Sequence, residues 1–176
     1  MLDFENPHEK CRNKAVKYVA LTRKTEGQVR DYLKRKEFSF EDIDDAIEFL
    51  REYDYVNDYR YAQNFFKEEA PKLKGRNRIE RDLLAKKIPF DIIKKALDEL
   101  LDESNPEYEE LIKEIGTEKE RALKLGRKML KIQLDDGKEA DKSFLARVGR
   151  RLMAYGYKTD QVYYVIGELM SGKPIR

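Results

Sequence analysis

Apolar residues recur along this chain in a pattern that appears three times. Three segments can be laid over one another at Leu33, Leu83 and Leu152. Four residues earlier stand Val29, Ile79 and Val148, and five later Phe38, Ile88 and Tyr157. Ten later come Ile43, Ile93 and Val162, fourteen later Ile47, Leu97 and Ile166, and seventeen later Leu50, Leu100 and Leu169. Steps of four and three keep one face of a helix apolar, so each segment predicts two amphipathic helices. Phe38, Ile88 or Tyr157 plugs the corner between them, in the manner of a helix-turn-helix unit.

A further helix is expected before each pair, over residues 14–23 with Val16, Val19 and Ala20, over 58–69 with Ala62, Phe65 and Phe66, and over 118–132 with Ala122, Leu125 and Met129. The borders carry capping residues: Thr25 three before Gln28, Ser39 three before Asp42, Thr117 three before Glu120. Pro89 takes the place of the Ser39 cap in the second copy, and Gly156 can close a helix in the third. Between the second and third copies, Asn105-Pro106 and a stripe of Tyr108, Leu111, Ile112 and Ile115 predict a helical spacer with an acidic outer face.

The expected class is therefore all-α, organised as an N-terminal extension (1–13), helical repeats at 14–56, 57–103 and 117–171, the acidic helical spacer at 104–116 and a C-terminal tail (172–176). No single repeat holds enough apolar surface to be very stable alone. Stacked end to end, the three would make an elongated, curved molecule suited to a long partner.

Composition supports this class and narrows the function. Charged residues make up 41% of the chain and hydrophobic ones 40%, so dense charge must lie on thin helical layers. Lys plus Arg number 37 against 35 Asp plus Glu, but unevenly: residues 98–116 are strongly acidic and the last third is basic. A basic third can meet a polyanion, whereas the near-neutral total is unlike a protein dedicated to coating DNA. No apolar run approaches the roughly 20 residues of a membrane span, so no membrane partner is expected. The first ten residues, with Asp3, Glu5 and Glu9, do not resemble a secretory signal, and a cytoplasmic location follows by elimination.

Reactive chemistry is sparse. His8 and Cys11 supply two of the four ligands a structural zinc needs, and Leu73-Lys74-Gly75-Arg76 has one glycine where a phosphate loop has two. No enzyme, cofactor, metal or small-molecule substrate is expected. Two kinds of cluster stand out. Tyrosines from Tyr53 to Tyr61 surround Asn57, Asp58 and Arg60, which read as a helix start at a repeat junction. Lys72, Lys74, Arg76, Arg78 and Arg81 form a basic approach to the middle helix of the second repeat, and Arg147, Arg150, Arg151 and Lys158 form a comparable edge in the third. Tyr163 and Tyr164 cannot both face inward.

Several stretches resemble the RecX family. They are Ala15-x-x-Tyr18-Val19-Ala20-Leu21-x-Arg23-Lys24-Thr25-x-x-Gln28-Val29, Tyr55-Val56-Asn57-Asp58-x-x-Tyr61-Ala62, Lys74-Gly75-x-x-x-Ile79-x-x-Asp82-Leu83-x-x-Lys86-Lys87-Ile88 and Leu145-Ala146-Arg147-x-x-x-Arg151-Leu152-x-x-Tyr155-Gly156-Tyr157. The resemblance runs from about residue 14 to about residue 170 and implies a small cytoplasmic regulator; a monomer is expected. It implies a protein that lodges on the RecA nucleoprotein filament, restrains strand exchange, ATP turnover and repressor cleavage, and is able to touch DNA. Lys74, Arg76, Arg78, Arg147, Arg150 and Arg151 are then the expected cationic contacts, with Asn57, Asp58 and Arg60 at a junction. The alternative is a helix-turn-helix DNA-binding protein. No helix rich in exposed Arg, Asn and Gln supports that reading.

Overall fold

The computed structural model describes residues 6–171, so residues 1–5 of the expected extension and the expected tail lie outside the described residues. Among the described residues there are ten α-helices and no strand. The first repeat is α1 (Pro7–Leu21), α2 (Glu26–Lys34) and α3 (Phe40–Glu52), and the second is α4 (Asp58–Glu69), α5 (Arg76–Ala85) and α6 (Phe90–Leu100). The spacer is α7 (Tyr108–Ile115), and the third repeat is α8 (Glu118–Asp135), α9 (Lys142–Ala154) and α10 (Thr159–Met170).

The repeated apolar columns form the interior. Leu33, Leu83 and Leu152 are fully buried, as are Val29, Ile79 and Val148 four residues before them. The remaining columns are buried too, except Phe38, Ile166 and Leu169, which are partly covered. Thr25 and Thr117 make full capping boxes with Gln28 and Glu120, and Ser39 caps α3 by accepting from the Asp42 amide. Pro89 stands just before α6 and its carbonyl accepts the Ile93 amide.

One helix begins earlier than its periodicity suggests. The Asn6 side chain accepts from the His8 amide and Pro7 occupies the first turn, so α1 starts seven residues before position 14. Its buried face runs through Cys11 and Ala15; Val16 and Val19 are only partly covered and Ala20 is exposed. Burial, aided by Asp42 and Asp45, pushes the Cys11 thiol up to about 11.

The corner between the second and third helices has the same backbone in every repeat. Glu37, Lys87 and Gly156 occupy equivalent positions and all have positive φ, at 62°, 66° and 89°. In each, the next residue's amide closes the helix on the anchoring leucine: Phe38 on the Leu33 carbonyl, Ile88 on that of Leu83, Tyr157 on that of Leu152. Only the third copy uses the residue that adopts this conformation without a steric cost. Glu37 is exposed, so Glu37→Gly is expected to raise stability by about 1 kcal/mol, read as a higher urea midpoint at unchanged slope.

The chain forms two compact units. One contains the residues up to Gln63 with Leu83–Leu97, and the other contains Asn64–Asp82 with Asp98 and the residues after it. The middle repeat is thus divided between them. The core of the first unit gathers Cys11, Ala15, Val29, Leu33, Ile43, Ala46, Ile47, Leu50 and Val56. That of the second gathers Ala122, Leu125, Phe144, Val148, Leu152, Tyr157, Val162 and Val165.

Candidate partner-binding surface

Each unit contains one junction between successive repeats, and the two junctions are built alike. In the first, the Thr25 hydroxyl donates to the Lys86 carbonyl at 2.5 Å and the Glu26 amide donates to the Asp58 carboxylate at 2.9 Å. In the second, the Gly75 amide donates to the Tyr155 carbonyl at 2.8 Å and the Arg76 amide donates to the Glu118 carboxylate at 2.6 Å. Thr25 matches Gly75 in the repeat, Lys86 matches Tyr155, and Asp58 matches Glu118 as the first residue of its helix. Donors at the start of one repeat's middle helix, a hydroxyl and an amide in the first junction and two amides in the second, are therefore satisfied by the next repeat's corner carbonyl and first-turn carboxylate.

This geometry gives the Asn57, Asp58 and Arg60 group a clear local role. Asn57 caps α4 by accepting from the Arg60 amide at 2.9 Å, and Arg60 Nη1 pairs with Asp54 at 2.6 Å. Burial raises the Asp58 carboxyl, the Glu26 amide offsetting part of that rise. Asn57 and Arg60 remain exposed on the surface, while Asp58 is half-buried in the junction.

Lys72, Lys74, Arg76 and Arg78 of the second repeat meet acids. Lys74 Nζ lies 2.6 Å from Glu69 and 2.7 Å from Asp82, and Arg78 lies 3.0 Å from the same Asp82. Burial pushes Glu69 and Asp82 up, but the hydrogen bonds and positive charges of Lys72 and Lys74 at the first, and of Lys74 and Arg78 at the second, together outweigh it and hold both carboxyls below the usual range. Arg76 spans Glu80 and Asp98 at 2.7 and 2.6 Å. Arg81 donates to the Asn77 carbonyl.

The cations of the third repeat, Arg147, Arg150 and Arg151, have no carboxylate in ion-pair reach among the described residues. Arg147 donates to Gln133 at 2.8 Å, Arg151 donates to the Tyr155 hydroxyl at 3.0 Å and stacks on its ring, and Arg150 is exposed. Within the second unit, Lys74 and Arg78 come together with Arg151 around a cleft of about 280 Å³ that Ala154 and Tyr155 complete. Two basic edges that lie far apart in sequence therefore share one concavity. Tyr163 is exposed and Tyr164 partly covered, resolving which of the pair faces outward.

A further basic stripe escaped the sequence reading. Lys124, Arg127, Lys128 and Lys131 lie on α8, interleaved with the buried Ala122, Leu125 and Gly126. The signal was present in the chain, because no acid occurs between Arg121 and Leu134. Arg121 is different: it is 4% exposed, donates to the Gly116 carbonyl at 2.5 Å and lies over the Phe66 ring.

No helix among the described residues is long and apolar enough to cross a membrane, and no cluster of three or more metal-ligating side chains occurs among them.

The fold and the sequence both have relatives among known proteins. Family models described as the first and second three-helix domains of RecX match residues 11–50 and 57–97. The regulatory protein RecX of Clostridium perfringens strain 13 is 35% identical over 170 residues, covering 96% of this chain and 73% of that protein. The regulatory protein RecX of Clostridium tetani is 31% identical over 166 residues, covering 94% and 70%. The crystal structure of RecX from Lactobacillus salivarius superposes with a TM-score of 0.75 at 22% identity, covering 94% of this chain and 98% of that one. A crystal structure described as regulatory protein RecX gives 0.71 at 21% identity, covering 93% and 72%. At those identities the two structures speak for the fold alone. Sequence identity over nearly the whole chain adds the family: this all-α chain of three-helix repeats belongs to the RecX regulatory proteins.

Proposed function

We propose that this chain is a non-catalytic regulator in the cytoplasm that binds the RecA filament on DNA and restrains its recombinase, ATPase and coprotease activities. The observation that carries this reading is kinship with RecX proteins across 96% of the chain. The surface is consistent with it. Arg147, Arg150 and Arg151 hold exposed charge that no carboxylate neutralises among the described residues, and Lys74 and Arg78 adjoin Arg151 in the shared cleft. Cations so placed can meet carboxylates of a protein filament or phosphates of the strand it coats, and their effect falls as salt rises. Arg76 supports that face by holding the second junction through Glu118, whereas Asn57, Asp58 and Arg60 hold the start of α4 and the first junction within the first unit.

The test is to add the purified chain, as a monomer by light scattering, to RecA on single-stranded DNA and follow ATP hydrolysis. Inhibition is the expected result, and Arg150→Glu with Arg151→Glu should raise the concentration for half-inhibition about tenfold, as for loss of roughly 1.4 kcal/mol of binding. Undiminished hydrolysis in the presence of saturating wild-type chain would remove RecA as the partner.

A further inference from the structure

The outward face of α8 concentrates charge that the fold leaves unused. Ala122, Leu125 and Gly126 are buried, whereas Lys124, Lys128 and Lys131 are exposed and Arg127 is partly so. These four cations follow steps of three and four residues and share one stripe about 10 Å long at the helical rise of 1.5 Å per residue. Among the described residues none of them has a carboxylate within ion-pair reach. In the same chain Arg30, Arg51, Lys74, Arg76 and Arg78 all do. Glu120 borders the same groove, but its carboxylate is held by the Thr117 amide and hydroxyl at 2.7 and 2.9 Å.

Beside the stripe runs a groove of about 630 Å³. Its apolar lining is Pro71, Leu73 and Leu123, with no aromatic side chain. A single nucleic-acid strand held without sequence preference calls for stacking platforms alongside cations, and this groove supplies none. An aliphatic floor edged by unpaired cations instead complements a segment in which carboxylates alternate with aliphatic side chains. The carboxylates would be steered and placed by the stripe, while the aliphatic groups leave water on the floor.

We propose that this groove docks an acidic, leucine-bearing peptide segment of a protein partner, a reading that goes beyond inhibition of RecA and stands on the α8 surface by itself. Exposed ion pairs each contribute little, so affinity must depend on the buried leucines as well as on the charge.

The experiment titrates the full chain into a fluorescein-labelled peptide in which pairs of glutamates alternate with leucines, and measures polarisation. A version with serine for leucine and an oligothymidylate of equal charge serve as comparisons. The leucine peptide should bind saturably, and the serine version should bind at least about tenfold more weakly, the loss expected for one buried leucine. Lys124→Glu with Lys128→Glu, both at exposed positions and checked for an unchanged helical spectrum, should weaken binding by at least about tenfold. Absence of saturable binding, equal binding of the leucine and serine peptides, or insensitivity to the double reversal would overturn the proposal. So would tighter binding of oligothymidylate through the same lysines, which would make the groove a nucleic-acid surface. Wild-type chain that binds the peptide yet leaves RecA hydrolysis unchanged would remove the RecA reading alone.

Discussion

Gly156→Ala is expected to lower stability by about 3 kcal/mol, whereas Gly137→Ala should cost only about 1 kcal/mol, although both glycines have positive φ. The shared part of the cost is conformational, since φ is +89° at Gly156 and +72° at Gly137. The difference is steric. A Cβ at Gly137 meets nothing within 4 Å, but one at Gly156 would lie 2.2 Å from the Arg78 amide nitrogen and 2.6 Å from the Arg78 Cβ. The first turn of α5 cannot withdraw freely, because the Gly75 amide donates to the Tyr155 carbonyl and the Tyr157 hydroxyl donates to the Leu73 carbonyl at 2.7 Å. Gly75 completes the close approach from the other side: a Cβ there would lie 2.7 Å from the Gly156 carbonyl oxygen. Urea unfolding followed by helical circular dichroism measures both variants in one assay. In thermal unfolding Gly156→Ala should lose about 6–12 °C. Equal losses for the two variants would show that the corner and α5 do not touch as described.

The contrast between these glycines also explains what could be read from the chain alone. Helices that bury one face must repeat apolar residues at steps of three and four, so Leu33, Ile43, Ile47 and Leu50, with their counterparts, announced both the elements and the interior. Caps are equally local, because Thr25 reaches Gln28 and Thr117 reaches Glu120 within a single turn. The start of α1 was hidden because, after Pro7, only Cys11 marks the apolar face before position 14. The corner itself was legible, but its left-handed backbone was hidden in the first two copies, because Glu37 and Lys87 adopt a conformation that their residue types do not advertise.

The candidate surface followed the same division. Its residue types were visible, but pairing is decided by the fold, which sets Arg76 against Asp98 and Lys74 against Glu69 and Asp82. Sequence proximity sets Arg78 near Asp82 and Arg76 near Glu80 one helical turn apart, but does not connect Arg76 to Asp98 or Lys74 to Glu69 and Asp82. The junction bonds join Thr25 to Lys86 and Gly75 to Tyr155, positions that no short-range pattern connects. By contrast, the absence of acids between Arg121 and Leu134 is local information, and it foreshadowed the unpaired stripe on α8.

Leu33→Ala and Leu152→Ala are each expected to cost about 3 kcal/mol, within the range seen when a fully buried leucine leaves a cavity. Both side chains are wholly inaccessible to solvent, and each sits where its helix pair meets the corner residue. The equality of the two losses carries the argument. Leu33 belongs to the first unit and Leu152 to the second, so their neighbours differ in identity, with Ile43 and Ile47 in one and Val162 and Val165 in the other. If the repeat is a physical module, the same column should bear a similar share of stability in both settings. The chain has no tryptophan, so unfolding is best followed by helical circular dichroism or tyrosine emission in urea. A loss below about 1 kcal/mol at either leucine would mean that its cavity collapses or that its column is not a load shared by the module. Against a total stability of about 5–15 kcal/mol, two such losses leave little reserve. Variants meant to probe binding therefore belong at exposed positions such as Lys124, Lys128 and Arg150, where charge can be reversed without touching the leucine columns.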